Sequence, residues 1–156
     1  MEIAVRHASG TDVPELVRLY RLLEAELTAL KPIWRLTEGL AEPLEQTWER
    51  LLEDPDTSGV LATVDGVPAG FLLGRSEALL PQGGDDRMAA IRLIFTEPGF
   101  RKIGVGEALI DLFITEQRAA GHRYFDAHVP PGHRIAKNFF EANGFKARHI
   151  VMHREA

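Results

Sequence analysis

Residues 100–109 read FRKIGVGEAL, and they lie between a segment typical of a strand and one typical of a helix. Gly104 and Gly106 lack a Cβ atom, so a ligand can approach the backbone closely there. The helix that follows begins with N–H groups that have no intrahelical partners, and its dipole favours an anion. Arg101 and Lys102 add positive charge. The segment predicts either a phosphate-binding loop or an ordinary glycine turn before a helix.

Two common nucleotide-binding motifs do not fit this segment. A Walker loop requires Gly-Lys followed by Ser or Thr, and no such sequence follows here. The dinucleotide-binding fingerprint requires a third small residue, but Leu109 stands at that position. A nucleotide-binding switch is also disfavoured, because no magnesium-binding Ser, Thr or Asp is placed beside the loop.

Outward from this loop, the hydrophobic pattern alternates between the helix and strand periods. Asp12 predicts the N-cap of a first helix, and Asp65-Gly66 predicts a type I′ hairpin turn. The order from residue 3 to residue 153 is β-α-α-β-β-β-α-β-α-β, which indicates an α/β fold with a sheet covered by helices. The predicted strands are Ile3–Val5, Val60–Val64, Ala69–Leu73, Met88–Thr96, Tyr124–Val129 and a last one near Arg148–His153, and the predicted helices are Val13–Leu27, Leu40–Leu52, Ala108–Ala119 and Ile135–Ala142.

Length and composition limit the class of protein. The chain has 156 residues, of which 45% are hydrophobic and 26% charged, which favours one domain, residues 1–156. No run is apolar enough to span a bilayer and residues 1–7 lack the pattern of a secretory signal, so a cytoplasmic protein is the simplest expectation. The net charge of −5 argues against a nucleic-acid binder. Because there is no cysteine, we expect any acyl transfer to occur directly between two bound substrates.

Two motifs resemble those of the GNAT superfamily of N-acetyltransferases. Arg101-x-x-Gly104-x-Gly106 is similar to motif A of that family, which reads Arg/Gln-x-x-Gly-x-Gly/Ala. Residues 136–145, AKNFFEANGF, are similar to motif B, which reads roughly Ala-x-x-x-Tyr-Glu-x-x-Gly-Phe. The resemblance implies a GNAT-like mixed, mostly antiparallel central sheet with helices on both faces. It also implies acetyl transfer from acetyl-CoA, as co-substrate, to a primary amine in a ternary complex.

The resemblance further implies where acetyl-CoA contacts the chain. The pantetheine arm runs beside a strand, the N–H groups of the loop hold the pyrophosphate, and the N–H of Thr96 or a neighbour stabilises the oxyanion. Splaying of the strands Met88–Thr96 and Tyr124–Val129 leaves a notch in which the acyl group and the amine meet. The implied contacts are Ile94, Phe95, Thr96, Arg101, Lys102, Ile103, Gly104, Val105, Gly106, Glu107, Lys137 and Phe140.

The sequence departs from this family at its usual acid and base. The tyrosine of motif B is Phe140, the strand glutamate is Ala90, and the asparagine that often precedes motif B is His133. Imidazole is suited to proton transfer near pH 7, so His128 and His133 are the predicted replacements. The alternative is an acyl-CoA-binding sensor or interaction module without transfer activity. The spacing of the histidines does not fit a zinc site, and no metal is expected.

The resemblance places the acceptor site beside the loop between the first two helices. Trp34 in that loop, together with Glu24 and Glu26, predicts an aromatic and acidic pocket for an amine. The expected acceptor is a small-molecule or peptide amine, rather than a nucleic acid or a membrane. Exposed strand edges often pair, so a homodimer stays open as an assembly.

Overall fold

The computed structural model describes residues 1–30, 39–130 and 132–156. The strands are β1 (Ile3–His7), β2 (Thr57–Val64), β3 (Val67–Ala78), β4 (Arg87–Thr96) and β5 (Tyr124–Ala127). They form a single five-stranded sheet with the order β1-β2-β3-β4-β5. The first four strands are paired antiparallel, and β4 and β5 are parallel. Two parallel neighbours need a crossover connection, and here residues 97–123 form it.

The β2–β3 hairpin turns where the sequence predicts. Asp65 and Gly66 have φ angles of 48° and 82°, the positive values that a type I′ turn requires. The Asp65 carboxylate also accepts a hydrogen bond from the Glu2 N–H at 2.7 Å, which ties the start of β1 to the turn. The predicted turn is therefore confirmed.

Helices cover both faces of the sheet. In the described residues they are α1 (Val13–Leu30), α2 (Leu44–Glu53), α3 (Val105–Ala119) and α4 (Arg134–Ala142), and none of them has both the length and the hydropathy to cross a bilayer. On one face, α1 and α2 pack over the sheet, and the buried Trp48 ring meets Phe71 edge to face at 5.5 Å. On the other face, α3 and α4 pack through the buried side chains of Leu109, Phe113 and Phe140. This arrangement confirms the predicted mixed sheet with helices on both faces.

The start of α1 differs from the predicted N-cap. Residues 10–12 form a short 3-10 turn, so Asp12 lies inside the turn, and α1 begins at Val13. The Asp12 carboxylate accepts hydrogen bonds from the Ser9 N–H at 2.8 Å and from the Arg6 guanidinium at 2.7 and 2.8 Å. The prediction that Asp12 is the N-cap was wrong, because Ser9 caps the preceding turn and Asp12 closes it.

A β-bulge interrupts the pairing of β3 with β4. Leu93 pairs with Leu73 and Ile91 pairs with Gly74, which leaves Arg92 as an extra residue on β4. A bulge of this kind bends its strand and increases the local twist. We infer that the bulge turns the second half of β4 away from the direction of its first half.

A notch opens between β4 and β5 at the same level. The last paired residues are Ile91 and Ala127, followed by one hydrogen bond from the His128 N–H to the Ile91 carbonyl at 2.9 Å. Beyond this point β4 continues through residues 92–96, whereas β5 has ended. The predicted notch is present, although β5 is shorter than the predicted Tyr124–Val129.

The strand predicted near Arg148–His153 was wrong. Residues 145–156 have no regular secondary structure. Ile150, Val151 and Met152 are 74%, 74% and 87% exposed, so their apolar side chains pack on no sheet face. The segment is tethered by Arg148, whose Nε donates to Asp126 Oδ1 at 2.7 Å. Strand-like composition needs a neighbouring strand for its backbone groups, and no such pairing forms here.

Candidate active site

The loop before α3 is shaped by two residues with positive φ. Lys102 and Gly104 have φ angles of 66° and 103°. Gly104 is the N-cap, and α3 begins at Val105, earlier than the predicted Ala108. A Cβ atom at Gly104 would meet only Ile3 Cδ1, at 3.6 Å, so space is available there. Glycine is therefore required at this position by the backbone conformation rather than by crowding.

The same loop presents a row of free backbone N–H groups. The Arg101 N–H donates to the Pro98 carbonyl at 3.3 Å, and the Ala108 N–H donates to the Gly104 carbonyl at 3.0 Å. Between them, the N–H groups of residues 102–107 donate to no backbone carbonyl of the described residues. These donors lie at the positive end of the α3 dipole, which suits an anion. The Arg101 N–H, predicted to belong to this set, is already engaged.

Gly106 has a packing role that the sequence did not indicate. A Cβ atom on Gly106 would lie 2.8 Å from Cζ and 3.0 Å from Cε1 of Phe139. Real Cβ atoms essentially never come so close to another heavy atom, so glycine lets α4 pack tightly on α3. The prediction that Gly106 serves close approach of a ligand overlooked this contact between the two motifs.

The end of β4 directs backbone groups into the notch. The Glu97 N–H donates to the Ala69 carbonyl at 2.8 Å, so Glu97 faces β3. Hydrogen bonding alternates along an antiparallel strand, and therefore the N–H and carbonyl groups of Thr96 and Ile94 face the opposite, open side. The Thr96 carbonyl there accepts a hydrogen bond from Arg101 Nε at 2.8 Å. The Thr96 N–H is left facing the notch, where the sequence predicts an oxyanion donor.

The Arg101 side chain turns into the protein. Its Nη2 donates to Glu26 Oε1 at 2.8 Å, and its guanidinium carbon lies 5.5 Å from the centre of the Phe95 ring. The side chain is only 22% exposed. Together with the bond to the Thr96 carbonyl, these contacts direct the guanidinium toward α1 and β4. The prediction that Arg101 adds charge near the phosphates is not supported by this geometry, whereas Lys102 makes no such contact within the described residues.

His133 lies next to the same glutamate. Its Nε2 is 3.4 Å from Glu26 Oε2, and its side chain is 9% exposed. Burial lowers the pKa of His133 below 6.5; Glu26 opposes this effect and Arg101 adds to it. The structure thus joins His133, Glu26, Arg101 and the Thr96 carbonyl, which come from four separate parts of the chain. The imidazole is held neutral near pH 7 in this environment.

Sequence reasoning missed the pairing of Glu26 with Arg101. A signal was present, because Glu26 follows the buried Leu23 by three residues and therefore borders the buried stripe of α1. Glu24 borders the opposite side of that stripe, since two residues along a helix correspond to a rotation of about 200°. Glu24 instead lies 3.5 Å from Arg21. The predicted acidic pocket of Glu24 and Glu26 therefore does not converge, and Trp34 lies outside the described residues.

His128 occupies a different environment from His133. It stands where β4 and β5 separate, and its exposed imidazole has Nε2 at 3.4 Å from Arg92 Nη1. Arg92, the bulged residue, also donates to Glu77 at 3.2 Å. The role of His128 as a base stays a prediction.

Phe140 and Ala90, which replace the usual acid and base of the family, lie in the hydrophobic core. Phe140 is 3% exposed, and its ring lies between those of Phe139 and Phe145 at centroid distances of 5.4 and 5.3 Å. Ala90 is fully buried on β4. Lys137 is exposed and forms an ion pair with Glu141 one turn later. Contact of Phe140 or Lys137 with a ligand stays a prediction.

Comparisons with known proteins agree with this architecture. Among curated protein sequences, none matches this chain. Solved structures of similar fold include a ribosomal-protein-alanine N-acetyltransferase from Brucella melitensis biovar Abortus 2308, with 18% identity, all of both chains covered and a TM-score of 0.75. An aminoglycoside acetyltransferase, meta-AAC0020, from an uncultured soil metagenomic sample has 16% identity, 99% and 95% of the two chains covered and a TM-score of 0.75.

A third similar structure is that of AAC(6')-Iy in complex with the bisubstrate analogue CoA-S-monomethyl-acetylneamine. It has 20% identity, covers 100% of this chain and 99% of its own, and has a TM-score of 0.71. At such low identities these likenesses establish the fold. The sequence model of the acetyltransferase (GNAT) family, however, matches residues 16–145, which is most of the chain. This protein therefore belongs to the acetyltransferase (GNAT) family.

Proposed function

We propose that this protein is an N-acetyltransferase that moves the acetyl group of acetyl-CoA directly to a primary amine within a ternary complex. One observation carries the proposal: the free N–H groups of residues 102–107 adjoin the open edge of β4 at residues 92–96. An anion held by the first feature can lay its attached chain along the second. Membership of the family supports this reading, as does the CoA analogue in the AAC(6')-Iy structure.

The proposed binding of acetyl-CoA uses mainly the backbone. The N–H groups from Lys102 to Glu107 hold the pyrophosphate, with the Lys102 ammonium nearby as a counter-charge. The backbone groups of Ile94 bond the pantetheine arm in the manner of an added strand, and the Thr96 N–H is left for the acetyl carbonyl. The loop N–H groups, the Thr96 N–H and the Ile94 backbone groups fit the proposed ligand because they make no backbone hydrogen bond within the described part of the chain. The Thr96 carbonyl is not part of this set, since it already accepts a hydrogen bond from Arg101.

The proposed transfer is a single displacement. The amine nitrogen attacks the acetyl carbonyl carbon, the C–N bond forms, the C–S bond breaks, and CoA leaves as a thiolate. The Thr96 N–H donates to the developing oxyanion, a contribution of about 3 kcal/mol for a donor of this kind. No cysteine is present to carry the acetyl group, which supports direct transfer.

The acceptor is proposed as a small-molecule or peptide amine. The similar structures include enzymes named for aminoglycosides and for a ribosomal-protein alanine, so both kinds of amine are reasonable probes. We keep Trp34 as a proposed acceptor contact and a homodimer as a proposed assembly, whereas the position of Glu24 beside Arg21 gives no support to its predicted role. Residues 1–156 are treated as one domain, because β1 lies before the matched residues and completes the sheet.

A second candidate function is an acyl-CoA sensor without transfer activity. The burial of Phe140 and Ala90 favours it, because neither the hydroxyl nor the carboxylate usual in this family is available there. Binding of acetyl-CoA without release of free CoA in the presence of amines would select this candidate.

The first test is calorimetric titration with acetyl-CoA and CoA, beside ATP and NAD. We expect selective binding of the two CoA compounds, and loss of that binding in Gly104→Glu, which places a carboxylate in the loop. Gly99→Ala is the matched control, because a Cβ atom on Gly99 meets nothing within 4 Å. Retained affinity in Gly104→Glu, or preference of the wild type for ATP or NAD, would contradict the loop assignment.

A further inference from the structure

One carboxylate oxygen near the notch is buried without a hydrogen bond. Among the side-chain nitrogen and oxygen atoms of the described residues, only Glu26 Oε2 and Trp48 Nε1 are in this condition. The other oxygen of Glu26 is bonded to Arg101, so the carboxylate is held in place while one oxygen stays unsatisfied. A buried acceptor without a donor is costly and therefore calls for an explanation.

An imidazole nitrogen lies close to this oxygen. His133 Nε2 lies 3.4 Å from Glu26 Oε2, a contact too long or too poorly aligned to be a hydrogen bond. A carboxylate can only accept, so the imidazole nitrogen that faces it is the one that carries the hydrogen. That tautomer leaves Nδ1 of His133 with its lone pair free.

The free nitrogen is also accessible. His133 is the N-cap of α4, but its side chain makes no capping hydrogen bond. Neither ring nitrogen has a hydrogen bond within the described residues, and neither is one of the two buried atoms without partners, so Nδ1, like Nε2, retains contact with solvent. A base needs such an open lone pair to reach a substrate proton.

We propose that His133 Nδ1 takes the proton from the attacking amine, and that Glu26, clamped by Arg101, positions His133 and stabilises its imidazolium. This inference rests on the proposed acetyl transfer and assigns its proton acceptor. Glu26 acts through His133 and is therefore a positioning residue. Arg101 is reassigned from a phosphate contact to the group that fixes the Glu26 carboxylate.

The arrangement favours the transition state over the ground state. When the C–N bond forms, the amine proton moves to Nδ1, and the resulting imidazolium donates from Nε2 toward Glu26 Oε2. The unsatisfied oxygen thereby gains a charged donor only as the reaction proceeds. After the C–S bond breaks, the thiolate of CoA leaves and the proton on His133 returns to solvent. Within the described residues, the charged groups that act on His133 are Glu26 from α1 and Arg101 from the loop.

Arg101 connects the proton acceptor with the acyl site. Its Nε bonds the Thr96 carbonyl and its Nη2 bonds Glu26, each at 2.8 Å. The Thr96 N–H that faces the notch belongs to the same residue as that carbonyl. One guanidinium therefore fixes the position of the base relative to the oxyanion donor.

The kinetic test compares Glu26→Gln with Glu15→Gln. Glu15 is also on α1 and accepts from Arg18 at 2.8 Å, so its variant removes a comparable ion pair away from the site. Kanamycin, spermidine and a hexapeptide with an N-terminal alanine serve as acceptors. Released CoA is measured with a thiol reagent, which does not react with the protein because the protein has no cysteine. For Glu26→Gln we expect a fall in kcat of about 100-fold, because His133 loses the carboxylate that positions it, with an unchanged Kd for CoA. Glu15→Gln keeps the wild-type rate.

The pH profile and a double variant separate catalysis from structure. Glu26 raises the pKa of His133, so its removal moves the acid limb of the pH–rate profile to lower pH. His133→Gln abolishes that limb, and adding Glu26→Gln to the His133→Gln variant lowers kcat only slightly further. An unchanged limb in Glu26→Gln, or additive losses in the double variant, would overturn the proposal.

A measurement without turnover tests the dyad by itself. The ¹⁵N shifts of the imidazole nitrogens, assigned by comparison with His133→Gln, report the tautomer of neutral His133. We expect hydrogen on Nε2 in the wild type and on Nδ1 in Glu26→Gln, where the amide can donate. Hydrogen on Nδ1 in the wild type would overturn the proposal even if the enzyme is active. A wild type with the expected tautomer but no turnover of any acceptor would overturn the proposed function instead.

Discussion

Substitution of Gly106 by alanine separates packing from ligand binding. The added Cβ lies 2.8 Å from Phe139 Cζ, so the ring or α4 must shift. Overpacking of this kind costs about 1–3 kcal/mol, whereas the higher helix propensity of alanine returns up to about 1 kcal/mol. We therefore expect Gly106→Ala to lower the free energy of unfolding by about 1 kcal/mol. A smaller residue at position 139 should remove the clash.

The assay is urea unfolding of four proteins: wild type, Gly106→Ala, Phe139→Leu and the double variant. In the Phe139→Leu background, Gly106→Ala should be neutral or stabilising, which gives a coupling energy of about 1–3 kcal/mol. The double variant should also bind CoA within about threefold of Phe139→Leu, since the glycine is explained by packing. A stabilising Gly106→Ala in the wild-type background, or additivity, would refute the packing argument. If the double variant is stable but no longer binds CoA, the glycine at position 106 would be explained by close approach of the ligand instead.

Three further predictions concern stability and pH. The hydrogen bonds from Arg6 lower the pKa of Asp12 from 3.8 to about 2, so the Asp12 carboxylate contributes about 2 kcal/mol to the free energy of unfolding above pH 4, and this contribution is lost as the pH falls through 2. In urea unfolding, Asp12→Asn should therefore be less stable than the wild type at pH 7, and the difference in free energy should shrink toward pH 2. Burial lowers the pKa of His133, so as the pH falls below 6.5 the imidazole is protonated more readily in the unfolded chain than in the folded one. The free energy of unfolding should therefore fall between pH 7 and pH 5 by more in the wild type than in His133→Asn, and an equal fall in both would contradict the burial. Removal of residues 150–156 should change the free energy of unfolding by less than about 0.5 kcal/mol, because Ile150, Val151 and Met152 are exposed; a larger loss would mean that they pack on the protein.

Much of the fold could be predicted because its signals are local. Asp65-Gly66 defines a type I′ turn by the φ angles it permits, and the apolar positions of α1 recur at helical spacing. Two motifs at the right separation then indicated the family. The loop before α3 was predictable for the same reason, since glycine at a positive φ angle and a helix start are encoded in neighbouring residues.

The remaining features depend on contacts between distant residues. The bulge at Arg92 follows from the register in which β3 and β4 pair, and the sequence of one strand alone does not contain that register. Arg101 carries the same charge whether it faces a phosphate or Glu26, and only the position of α1 decides between them. Residues 148–153 have a strand-like composition, but a strand forms only where a partner offers its backbone groups. Phe139 likewise constrains Gly106 across two helices.

The central claim is direct transfer between two bound substrates. Its most direct test is a matrix of initial velocities over acetyl-CoA and amine concentrations, using the acceptor that gives the fastest release of CoA. A ternary complex predicts double-reciprocal lines that intersect, with no acetylated enzyme in the mass spectrum after acetyl-CoA alone. Parallel lines together with an acetyl-enzyme would contradict the account, because the acetyl group would then have passed through the protein.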